Sequence, residues 1–75
     1  MSAARPEVLA GPLESAPGGF VPERERAEML ASVLAGIGLG GWDRRVAGWL
    51  AGLDTATALT VVSWVARARE AGPRR

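Results

Sequence analysis

Apolar positions recur at helical spacing in three stretches of the chain, separated by glycine-rich or capped breaks. In the first, Ala27, Leu30, Val33, Leu34 and Ile37 fall on one face of a helix. Pro22 suits the first helical position, where no intrahelical donor is lost. Glu23 and Glu25 fall in the first turn, where the positive end of the helix dipole favours carboxylates. The pattern predicts a helix over about 22–36, with Phe20 folded back as a hydrophobic staple and Gly36, Gly38, Gly40 and Gly41 ending it.

The second stretch carries Trp42, Val46, Trp49, Leu50 and Leu53 as its stripe and predicts a helix over about 42–52. Gly48 and Gly52 are unusual there, since each costs about 1 kcal/mol relative to Ala inside a helix. With Ala47 and Ala51 they form a strip of small residues, which predicts close helix packing along that edge. The third stretch starts after Asp54, a good N-cap, and stops before Gly72-Pro73, where Gly suits a left-handed C′ position and Pro cannot continue. It predicts a helix over about 55–71 with Ala58, Val61, Val62, Val65 and Ala68 as its central stripe and Leu59 and Trp64 on either flank. Ala56, Thr60 and Ser63 fall on the opposite face.

These elements imply an all-α fold, a small three-helix domain over residues 20–72. Residues 1–19 hold Pro6, Pro12, Pro17 and Gly18-Gly19 without periodicity, and predict a disordered tail. Val8, Leu9 and Leu13 within it form either a short docking motif or part of a plain solvated tail. Residues 73–75 are a basic C-terminal end.

Some fifty residues in three helices make a marginal domain, because small domains bury a low fraction of their surface. The apolar arc of the third helix is wider than two neighbouring helices need. The surplus predicts a protein contact, with a second copy or another chain, through Trp42, Trp49, Leu59, Val61, Trp64 and Val65. The competing reading has the three tryptophans filling the monomer core.

Composition then limits the chemistry. The chain has nine arginines and no Lys, His, Cys, Tyr, Asn or Gln, a usage that fits a GC-rich genome. Without Cys or His there is no disulfide framework, no thiol nucleophile, and neither the commonest general base nor the commonest metal ligand. No Ser or Thr has a His or Lys to activate it. Glu25 with Glu28, or Asp43 with Asp54, would need a pocket that so small a helical domain hardly forms. The run GIGLGG lacks a preceding strand and a Walker lysine, so it reads as a turn. Glu23 with Arg26 and Arg24 with Glu28 read as surface pairs. The chain is therefore expected to be no enzyme and to need no cofactor, no metal and no small-molecule substrate.

Charge leaves two further readings open. Residues 1–41 carry a net −2 and residues 42–75 a net +3, so a basic second half could favour an anionic partner. Arg44, Arg45, Arg67 and Arg69 are candidate phosphate contacts, and a nucleic-acid-associated helix-turn-helix is the second choice. A recognition helix needs base-reading side chains near its start, and residues 54–66 offer none. From Val46 to Ala66 only Asp54 is charged, which has the length of a membrane span. Asp54 at mid-span would cost about 2.5–3.5 kcal/mol, so a membrane-associated helix pair is the lesser alternative. The N-terminus lacks the continuous apolar core of a signal peptide, and a cytoplasmic location is expected.

Residues 42–72 resemble small helical proteins of actinobacteria and their phages. The resemblance rests on Trp42-Asp43-x-Arg45, Trp49-Leu50-Ala51, the Asp54-x-Ala56-Thr57 start and the Ala66-Arg67-Ala68-Arg69 close. It implies a source and no activity, and it carries over no site residue.

Overall fold

The computed structural model describes residues 10–72, and among these the chain forms three helices and no strand. They are α1 (Glu23–Val33), α2 (Gly41–Ala51) and α3 (Thr55–Ala71). The fold is a small all-α three-helix domain. The expected basic end at 73–75, and the first nine residues of the expected tail with Val8 and Leu9, lie outside the described residues.

Local chemistry sets each boundary. Asp54 caps α3: its Oδ2 accepts the Thr57 N–H at 3.0 Å and its Oδ1 accepts the Thr57 hydroxyl at 2.9 Å. The far end of α3 stops at Gly72, whose φ of 72° is one that glycine adopts readily. Asp43 caps α2 by accepting the Gly40 N–H on Oδ2 at 2.9 Å, which starts the helix one residue before Trp42. Pro22 is the N-cap of α1 rather than its first helical residue. The helix ends at Val33, three residues short of the predicted end, because the chain turns over Leu34 to Gly36 and Gly36 takes φ +85°.

The central helix of the bundle is α1. It packs against both α2 and α3, while those two make no comparable contact with each other. The core is Val21, Met29, Leu30, Ala51, Leu59 and Val62, with Val33, Leu50 and Val61 packed against it. The buried side of α1 is therefore Arg26, Met29, Leu30 and Val33. Ala27 and Ile37, placed on that face by the sequence pattern, are exposed. Phe20 is 75 % exposed and does not act as a staple. With Pro22 as the N-cap, the residue just before it is Val21, and that side chain is the one the core takes.

One polar group organises the centre. Arg26 is buried, so it is no surface partner of Glu23. Its Nε donates to the Ala51 carbonyl at 2.8 Å, and its Nη1 donates to the Val21 carbonyl and to Thr55 Oγ1. The Thr55 hydroxyl also accepts the Val21 N–H at 3.1 Å. Ala51 is the last residue of α2, where carbonyls lack intrahelical donors and the dipole favours a cation. The guanidinium thus joins α1 to the end of α2, the start of α3 and the strand of chain before α1. No buried side-chain nitrogen or oxygen among the described residues lacks a partner.

The strip of small residues works only in part. Ala51 is buried in the core and a Cβ added at Gly52 would lie 3.5 Å from Glu23 Oε2 of α1, whereas one at Gly48 would meet open space. Leu50 and Ala51 are the α2 residues packed in the core, and Gly48 brings no backbone close.

Candidate interaction surface

The buried side of α3 holds Thr55, Ala58, Leu59, Val62 and Ser63. Leu59, expected at a protein interface, is entirely buried and belongs to the monomer core. Ser63, expected to face outward, is also buried, and its Oγ accepts from Arg67 Nε at 3.1 Å. The core side is therefore turned round the helix from the predicted stripe, because the serine hydroxyl finds a partner on its own helix and its small volume fits beside Val62.

That rotation sends Trp64 outward. It follows Val62 by two residues, about 200° round the helix, and is 60 % exposed. Val61 and Val65 lie between the core and Trp64 and are half-buried. Thr60 is half-buried and returns its hydroxyl to the Ala56 carbonyl at 2.8 Å, so it offers an apolar methyl to its surroundings. From Thr55 to Ala66 the helix has no charged residue.

The chain before α1 borders this side of α3. Ala16 stands with Ala56, Thr57, Thr60, Val61 and Trp64 around a shallow cavity of about 250 Å³. Further along, Gly11 (φ +46°) lies so close to Arg67 that a Cβ there would sit 2.6 Å from Arg67 Cδ. Residues 10–20 thus lie beside a helix whose opposite side packs on α1. The wide apolar arc read from the sequence serves two contacts within the chain, and Trp64 remains largely uncovered by both.

Trp42 and Trp49 are 71 % and 64 % exposed on α2. They are seven residues apart and lie within about 20° of each other round the helix. None of the three tryptophans fills the core. Because α2 and α3 pack on α1 rather than on each other, the α2 ridge and the Trp64 side of α3 are separate surfaces. Of the candidate phosphate contacts, Arg44, Arg45 and Arg69 are exposed, whereas Arg67 is half-buried and engaged with Ser63.

Among the described residues no helix is long and apolar enough to cross a membrane. Asp54 accounts for this at the centre of the predicted span, since it is a cap between two helices. Comparison with known proteins finds no matching family, no matching curated protein and no matching solved structure.

Proposed function

We propose that the protein is a non-catalytic helical interaction module, which works by seating the Trp64 side of α3 against another polypeptide, a second copy of itself in the first instance. The observation that carries the reading is the position of Trp64: a large indole on the side of α3 away from the core, at the rim of an apolar cavity. Tryptophan is the residue type most enriched where a few contacts dominate an interface. The uncharged run from Thr55 to Ala66 lets two copies approach without like-charge repulsion. A two-fold pairing would use the same patch on both. Val61 and Val65 would flank the indole at the contact. The absence of His, Lys and Cys supports a binding role over catalysis, because no hydroxyl has a base to activate it.

Fluorescence tests this directly. In a Trp42→Phe/Trp49→Phe variant, Trp64 is the sole indole. Its emission should move to shorter wavelength as protein concentration rises, because association removes the ring from water. An emission maximum that stays fixed and water-like over the whole range would count against the reading.

A further inference from the structure

The corner where α1 turns into α2 is apolar and uncharged. No residue from Met29 to Trp42 carries a charge, and the corner exposes Ile37 and Trp42 among glycines. Trp49 lies on the same side as Trp42 about two turns further along α2, with exposed Arg45 and half-buried Val46 between them. Several large exposed apolar side chains on one side of so small a domain mark a contact site.

Cations border this side. Arg45, exposed on α2, lies about 60° round the helix from Trp42, and Arg69 comes from the last turn of α3. Arg69 reaches the corner itself: a Cβ built on Gly36 would lie 3.9 Å from its Nη2. The carboxylates nearby in sequence are Asp43 and Glu70. Asp43 is held by the Gly40 N–H and sits at the positive end of the α2 dipole, which offsets its charge.

Exposed indoles and an isoleucine beside arginines match an anionic lipid interface. Indoles settle at headgroup depth, arginine meets lipid phosphate, and glycines let the backbone approach the surface. A nucleic acid fits less well, because residues 34–41 (LAGIGLGG) offer no polar side chain to a base edge. We propose that this side seats on an anionic lipid surface, with Ile37, Trp42 and Trp49 entering the headgroup region and Arg45 and Arg69 meeting the phosphates. The contact lies along the surface and spans nothing. It uses residues other than the Trp64 side of α3, so it stands or falls independently of the proposed protein contact.

The test is sedimentation of the intact protein with vesicles of phosphatidylcholine alone, and with vesicles of phosphatidylcholine and phosphatidylglycerol in equal parts. A short single-stranded oligonucleotide is titrated in parallel. The expected result is binding to the mixed vesicles at low salt, weakened by added salt and absent with phosphatidylcholine alone. Arg45→Gln/Arg69→Gln should bind roughly thirtyfold more weakly, from the usual contribution of a basic residue near an anionic surface. Trp42→Ala/Trp49→Ala should lose binding while keeping the helical circular dichroism of the parent, since both rings are exposed. Equal binding to both vesicle types, no binding to either, or affinity unchanged in both variants would overturn the proposal. So would oligonucleotide binding without vesicle binding.

Discussion

The Arg26 Nε donates to the Ala51 carbonyl oxygen at 2.8 Å, placing a buried guanidinium on the C-terminal end of α2. The same side chain bonds the Val21 carbonyl and the Thr55 hydroxyl, so it binds the three helices at one point. Replacing Arg26 by Met removes the donor to the Ala51 carbonyl, while Thr55 and Val21 keep their mutual hydrogen bonds, and the loss of stability should be about 1–3 kcal/mol. Arg26→Lys should recover only part, because a single ammonium cannot reproduce the planar fork of donors. Urea unfolding of the three proteins checks both expectations. A Met variant as stable as the parent would show that the guanidinium does not hold the bundle.

Asp54 gives a pH dependence of definite sign. Its hydrogen bonds from the Thr57 N–H and hydroxyl hold its carboxyl below the ordinary value of 3.8. A depressed carboxyl stabilises the folded chain fully above the unfolded value, and that stabilisation is lost as the pH falls through the folded one. The thermal midpoint of the parent should therefore drop on acidification below about pH 4. Asp54→Asn retains a good cap and should lose this component of the pH dependence, whereas Asp54→Ala should lower the midpoint near neutrality as well. Thermal melts of the three proteins across pH decide it. Parallel curves for parent and Asn variant would contradict the assignment.

Leu59 and Trp64 should separate stability from association. Leu59→Ala removes a side chain with no exposure and should cost about 2–5 kcal/mol. Trp64→Ala should change monomer stability by no more than about 0.5 kcal/mol, as expected of an exposed position. Chemical unfolding at low protein concentration measures both. A large loss for the Trp variant under those conditions would place its ring in the monomer core instead.

Gly11→Ala tests the contact between the N-terminal segment and α3. The new Cβ would press on Arg67 at a backbone conformation that L side chains rarely adopt. Cleavage of residues 10–20 by a non-specific protease should quicken, with the amide exchange of α1 and the buried part of α3 unchanged. An unaltered cleavage rate would show that Arg67 moves aside at no consequence to the segment.

The helices were legible because caps and breakers act locally. Asp54, Gly72 and the glycines after Val33 mark their ends without reference to the rest of the chain. Which side of each helix faces inward depends on neighbours and was harder to read. Ser63 takes a core position because Arg67 bonds it, and Ala27 yields to Met29 because Arg26 must turn inward toward Ala51. Arg26 itself stands in a run of alternating charges, ERERAE, whose pattern is that of a solvated face. The one local hint was that the run leaves α1 short of apolar residues in its first turn. Periodicity grouped Trp42, Trp49 and Trp64 with their apolar neighbours, and only the arrangement of α2 and α3 around α1 shows that all three point outward on two separate surfaces.

Trp64 is the proposed contact for a second polypeptide. Sedimentation velocity of the parent and of Trp64→Ala, over concentrations from micromolar to near millimolar, tests it most directly. The parent should show a reversible monomer–dimer equilibrium, weakened roughly thirtyfold or more in the variant, as for truncation of a dominant interface residue. A parent that stays monomeric throughout, or a dimer indifferent to Trp64, would contradict it.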